Sequence, residues 1–136
     1  MAKNKDLVLD FDGVIHAYTG WDGIDQIKNP PVVGAIAFLE DALNYFDVNI
    51  YSSRSSHPAG MKAMQDWLHK WAHRSAETDE KGEETSPDWT DEWLGRIKWP
   101  ISKPAAFATI DDRGILFTGE FPDAEELQYF KPWWQE

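Results

Sequence analysis

The chain has 136 residues, 42% of them hydrophobic, which suits one domain with a real core and leaves little room for a second. Its formal net charge of -11 disfavours long nucleic acid and anionic membrane as partners. The absence of cysteine excludes thiol catalysis, thiolate metal sites and disulfides.

Residues 7–10 (Leu-Val-Leu-Asp) are a short apolar run ending in acid, the pattern of a buried parallel strand. The run is too short for a signal-peptide core. No apolar stretch reaches membrane-spanning length, so a cytoplasmic chain is expected. Residues 13–30 are rich in Gly, Asp and aromatics and read as loop, with room for a hairpin. From 32 to 46, Val33, Ile36, Ala37, Leu39, Leu43 and Phe46 recur at helical spacing. A second strand is expected over 48–51, followed by the polar run Ser52-Ser53-Arg54-Ser55-Ser56.

Pro58 marks the start of the next helix, with Ser56 or His57 near its cap. Met61, Met64, Trp67, Leu68 and Trp71 share one face of it and read as core. Most of the eight tryptophans are likewise read as packing. Residues 74–86 are nearly free of apolar side chains and read as a mobile surface loop. A short helix is expected over 87–94. A weak strand is expected over 97–101, interrupted by Pro100, and a better one over 106–110, leading into Asp111-Asp112-Arg113. A short final strand over 115–117 and a short tail helix after Pro122, closing on Trp133 and Trp134, complete the chain.

This alternation predicts an α/β fold: a mostly parallel sheet covered on both faces. Ligand sites in such sheets lie beyond the carboxyl ends of the strands. The best strands end in Asp10-x-Asp12, in Ser52-Ser53-Arg54 and in Asp111-Asp112-Arg113, with Lys103 in the connection before the third. Groups distant in sequence therefore converge on one edge. Clustered carboxylates form an all-oxygen site that suits Mg²⁺, and without a cation their mutual repulsion is costly. The alternative, that Asp10 and Asp12 merely cap a turn, loses ground once the other groups fall in matching places. A carboxylate beside Mg²⁺ can attack phosphorus. A second can move the proton of the leaving oxygen and of water. A hydroxyl and a lysine can hold the phosphoryl oxygens.

Residues 7–15, Leu-Val-Leu-Asp-Phe-Asp-Gly-Val-Ile, resemble the first motif of the haloacid-dehalogenase (HAD) superfamily. Ile50-Tyr51-Ser52-Ser53-Arg54 resembles the second motif. Lys103-Pro104, then Ala108-Thr109-Ile110-Asp111-Asp112-Arg113, resemble the third and fourth. The motifs follow the family's order over residues 7 to 117. The resemblance implies a Rossmann-like three-layer α/β/α sandwich over residues 1–136 and a phosphatase working through an aspartyl-phosphate. Asp10 would be nucleophile and metal ligand. Asp12 would be general acid/base, with its backbone carbonyl on the metal. Ser52 would bind the phosphoryl group, and Lys103 would pair with it, with Lys98 as a rival for that role. Asp111 and Asp112 would complete the Mg²⁺ site, Asp112 directly or through water. Backbone amides after Asp10, near Gly13, would contribute phosphate contacts.

Around this centre, Ser53, Arg54 and His16 are further candidates to bind substrate. Arg54 can clamp a phosphate or pair with an acidic neighbour. His16 can steer substrate or be simply solvated. Tyr18 and Trp21 can stack on a sugar or base, though packing against the helix after Val32 is the favoured expectation. Arg113 is expected in a salt bridge behind the metal motif. Neither interval where the family inserts a cap holds a clear sheet-bearing domain, so no substantial cap is expected.

The short patterns are also similar to the phosphatase part of polynucleotide kinase-phosphatases, implying a nucleotide or a nucleic-acid end as substrate. The net charge and the lack of a basic stripe argue against a long polyanion, leaving a nucleotide or another small phosphate. No Walker-type loop is present for a kinase half. A receiver domain is rejected by order, because its lysine comes last. Two alternatives to a phosphatase stay open: a metal-binding protein without turnover, and a phosphotransferase.

Overall fold

In a computed structural model, which describes residues 4–77 and 86–135, the first apolar run forms β1 (Lys5–Leu9). Its Leu7, Val8 and Leu9 are all buried, as expected of a central parallel strand. β2 (Phe46–Ile50) and β3 (Ala108–Ile110) flank it, giving the parallel order β2-β1-β3. Leu7 registers with Val48 and Ala108, and Leu9 with Ile50 and Ile110. Pairing continues one step past the strands: Asp10 N–H donates to the Ile110 carbonyl at 2.9 Å, and Tyr51 N–H to the Leu9 carbonyl at 3.0 Å. All three strands therefore deliver their next residues to one edge.

Helix α1 (Ala35–Ala42) is shorter than the 32–46 periodicity suggested. It starts after Gly34, whose φ of 87° stops the chain from entering the helix earlier. It ends in tight turns, with Asn44 and Tyr45 N–H donating three residues back, to the Asp41 and Ala42 carbonyls. Phe46 belongs to β2, where it pairs with Lys5. Helix α2 (Pro58–Glu77) begins as expected: Pro58 stands first, and the His57 carbonyl accepts the Met61 N–H at 2.9 Å. Helix α3 (Pro87–Gly95) is capped by Ser86, whose hydroxyl accepts the Asp88 N–H. The last helix, α4 (Ala124–Leu127), is a single turn capped by Asp123.

The core gathers Leu7, Leu9, Val48 and Ile50 from one sheet face with Ile36 and Leu39 of α1, Met64, Trp67 and Leu68 of α2, and Trp93 of α3. Each such burial is worth about 1.5–3 kcal/mol. The opposite face carries Val8, Asn49 and Thr109, which join no such cluster. The described residues are thus mixed α/β, with a small parallel sheet and four helices. The buried apolar residues of α1, α2 and α3 join one cluster with Leu7, Leu9, Val48 and Ile50.

Three other expectations change. Residues 74–77 belong to α2 rather than to a surface loop, and the rest of that segment, 78–85, lies outside the described residues. The 97–101 stretch makes only a bridge of Lys98 to Asn49, since Pro100 has no N–H to extend a ladder. Residues 115–117 form no strand, and Ile115, Leu116 and Phe117 stay exposed. The turn in which Arg113 N–H donates to Asp111 Oδ1 leads the chain away from the sheet before they are reached. Among the described residues neither possible cap interval carries a strand, and no helix is long and apolar enough to cross a membrane.

Candidate active site

The edge reached by the three strand ends holds a cleft of about 340 Å³. Asp10, Asp12, Ser52, Ser53, Lys103, Asp111 and Asp112 line it, with Tyr18, Trp21, Arg113 and Trp134 among its rim. Candidates from four separate stretches of sequence meet there because parallel strands all point one way. Lys98, the rival lysine, turns toward the start of β2 and pairs with Asp47 at 3.3 Å.

One carboxylate oxygen each from Asp10, Asp111 and Asp112 lies within 4.8 Å of the others. Burial pushes the Asp10 carboxyl up to about 8, reinforced by the neighbouring Asp112 and Asp111 carboxyl groups, against the lowering effect of the Phe11 N–H at 2.8 Å. Asp112 Oδ2 accepts the Trp134 indole N–H at 2.6 Å. Asp112 Oδ1 is buried and has no hydrogen-bond partner. A buried carboxylate oxygen without a partner, beside two more carboxylates, suits a hard divalent cation. Asp10, Asp111 and Asp112 are thus placed to hold a metal ion.

Asp12 meets the opposite environment. Its Oδ2 accepts from Arg54 Nε at 2.9 Å, and its Oδ1 lies 2.9 Å from His16 Nδ1. The Asn29 N–H donates to His16 Nε2 at 3.1 Å, so Nε2 is the acceptor and the proton sits on Nδ1, facing Asp12. Burial by itself would raise the Asp12 carboxyl. The His16 and Arg54 hydrogen bonds and the Arg54 charge outweigh it and hold the carboxyl below its ordinary value.

This geometry revises two expectations. Arg54 is 1% exposed and spends its guanidinium on Asp12 and on the Gly23 and Ile24 carbonyls, with Trp21 4.5 Å above it. It is not among the residues that line the cleft. His16 is 2% exposed rather than solvated, and it supports Asp12 instead of lining the cleft. Of the two readings of Arg54, acid pairing is the one the fold realises.

Gly13 is also set back from the cleft. It adopts φ +85°, and a Cβ there would stand 2.3 Å from Asp112 Oδ2, so only glycine fits. Its carbonyl accepts the Trp133 indole N–H at 2.7 Å. Ser52 is buried, with its Oγ accepting the Arg54 N–H at 3.2 Å, while Ser53 is exposed. Tyr18 meets the edge of Trp134 at 4.9 Å, and Trp21 is half exposed over Arg54. Arg113 lies over the Trp134 ring rather than in a salt bridge. Reading the sequence missed Trp133 and Trp134 as parts of the site. Neither spacing nor composition links them to residues more than twenty positions away.

Comparison with family models, with curated proteins and with solved structures finds no match for this chain.

Proposed function

We propose that the chain is a Mg²⁺-dependent phosphomonoester hydrolase of the haloacid-dehalogenase type, with Asp10 as its nucleophile. One observation carries this reading. Three carboxylates, with the partnerless Asp112 Oδ1 among them, share a cleft with Ser52 and Lys103 at the carboxyl ends of parallel strands. Mg²⁺, when bound, would neutralise the carboxylates and draw charge from the phosphoryl oxygens.

The chain's own groups would divide the work as follows. An Asp10 oxygen attacks phosphorus, and the bond to the leaving oxygen breaks with its electron pair, forming an acyl phosphate on Asp10. The Ser52 hydroxyl and the Lys103 ammonium hold the phosphoryl oxygens. Water then attacks phosphorus and gives its proton to Asp12, which releases phosphate and restores the Asp10 carboxylate. Asp12, ionised between His16 and Arg54, is prepared for that second half. In the first half it must carry a proton for the leaving oxygen. Aryl phosphates, whose leaving oxygen needs little protonation, are therefore expected to turn over fastest. A small phosphate such as a nucleotide suits the cleft volume.

Phosphate release from a panel of monoesters tests the proposal. The panel holds aryl and sugar phosphates, nucleotides, phosphopeptides and phosphate-ended oligonucleotides, each with Mg²⁺ and with chelator. Release should require Mg²⁺ and fall by roughly 10³-fold or more in Asp10→Asn. Retained activity in that variant would reject Asp10 as nucleophile.

A second reading, a metal-binding protein without turnover, is favoured by one feature: both Asp12 oxygens are engaged by His16 and Arg54. Mg²⁺ binding with no release from any substrate would select it.

A further inference from the structure

We propose a second metal site, remote from the cleft, in which His69, His73 and Asp91 bind a transition-metal dication of the Zn²⁺ class and tie α3 to α2. His69 and His73 stand one turn apart on α2, so both imidazoles leave the same helix face. Asp91 comes from α3. Its Oδ1 lies 2.7 Å from His73 Nε2 and 3.5 Å from His69 Nε2. The two rings are in contact, with centroids 4.4 Å apart. One ligand atom from each residue falls within 4.8 Å of the others.

A surface hydrogen bond between one histidine and one aspartate is common and worth little. It does not account for a second imidazole brought to the same oxygen from the preceding turn. Zn²⁺ with bonds of 2.0–2.2 Å holds tetrahedral ligand atoms about 3.3 Å apart, so small side-chain rotations close the sphere. Two imidazoles and one carboxylate select Zn²⁺ or its borderline neighbours over Mg²⁺ and Ca²⁺. Three protein ligands leave a fourth position, and it faces outward: His69 and Asp91 are more than half exposed. Beside it Gln65, Leu68, Leu94 and Trp99 line a shallow hollow between the helices. The site shares no residue with the carboxylate cluster at Asp10 and uses different chemistry.

Titration of ZnCl₂ into the whole chain, in millimolar Mg²⁺ to occupy the carboxylate cluster, tests the proposal by calorimetry. One equivalent should bind. His69→Gln and His73→Gln should each weaken binding on the order of tenfold or more, and the double variant should abolish that equivalent. Asp111→Asn should leave it intact. These side chains are at the surface, and unchanged circular dichroism checks that the variants fold. Independently, imidazole nitrogen resonances of the unmodified chain should shift on Zn²⁺ addition for His69 and His73, but not for His16 or His57. Unchanged Zn²⁺ binding in the double variant, no binding below about 100 µM, or shifts at His16 or His57 instead would each overturn the proposal.

Discussion

Asp10 and Asp12 leave the same strand end two residues apart, yet the two sides of the cleft treat them in opposite ways. On the Asp10 side carboxylates face one another, and burial with those neighbours pushes its carboxyl up to about 8. On the Asp12 side a buried guanidinium and an imidazole converge, and the carboxyl is held low. Local sequence does not produce this contrast, because both residues are aspartates on one short turn. It arises from what the fold brings to each side: Asp111 and Asp112 from the turn after β3, Arg54 from the turn after β2. Pairs of carboxyl groups driven apart in this way are suited to different tasks. Asp10 sits among carboxylates that could hold a metal ion, and Asp12 sits between a guanidinium and an imidazole.

Three experiments break or sharpen the contrast. Arg54→Met should have the largest effect on stability. It strips Asp12 of its charge partner and leaves it with the His16 hydrogen bond alone. Breaking a buried pair by removing one partner should cost about 3 kcal/mol, read from the urea midpoint. Adding Asp12→Asn should recover part of the loss, because the stranded charge is then gone. An unchanged midpoint in Arg54→Met would mean that the Asp12 contact is not formed in solution.

The pH dependence of the metal-free chain comes next. Asp10 is protonated in the folded state up to about 8, against 3.8 ordinarily, so between those values the folded state binds the extra proton. Stability in chelator should therefore fall as pH rises from 3.8 to about 8. Asp12 acts with the opposite sign: its contribution is present above 3.8 and is lost as pH falls through its lowered folded value. Mg²⁺ should flatten the Asp10 slope by replacing the proton, and Asp10→Asn should remove that slope. A urea midpoint in chelator that is level from pH 4 to 8 and identical in Asp10→Asn would contradict the assigned environment.

Trp134→Phe should be the mildest change. It keeps the ring but removes the N–H that holds Asp112 Oδ2, at a cost of about 1 kcal/mol in stability. Asp112 is then free to turn its Oδ1 away from the cluster, so Mg²⁺ affinity should fall roughly tenfold. Trp133→Phe, which loses only the bond to the Gly13 carbonyl, should lower stability by a similar amount and leave Mg²⁺ affinity unchanged.

Much of the frame was legible in the chain itself. The run Leu7-Val8-Leu9 could only be a buried strand once closed by Asp10. Pro58 and the Met64, Trp67, Leu68 stripe set both the start and the inner face of α2. Parallel strands then oblige their carboxyl ends to share one edge, which is why Asp10, Ser52, Lys103 and Asp111 can be grouped from the sequence. The boundaries of α1 and the fate of 115–117 were less legible. Short apolar runs carry no period of their own, and turns at Asn44 and Arg113 decide where they go.

What the sequence by itself determined is that Asp10, Asp12, Ser52, Lys103, Asp111 and Asp112 share one edge, since strand direction follows from local pattern and topology. What only the tertiary structure decided is how each group is used. That Arg54 and His16 bind Asp12 rather than a substrate, and that Trp134 reaches Asp112, depends on directions set by packing across loops that have no repeat. The meeting of His69 and His73 with Asp91 is of the same kind. The spacing on α2 aligns the two imidazoles, but only the docking of α3 brings the carboxylate to them.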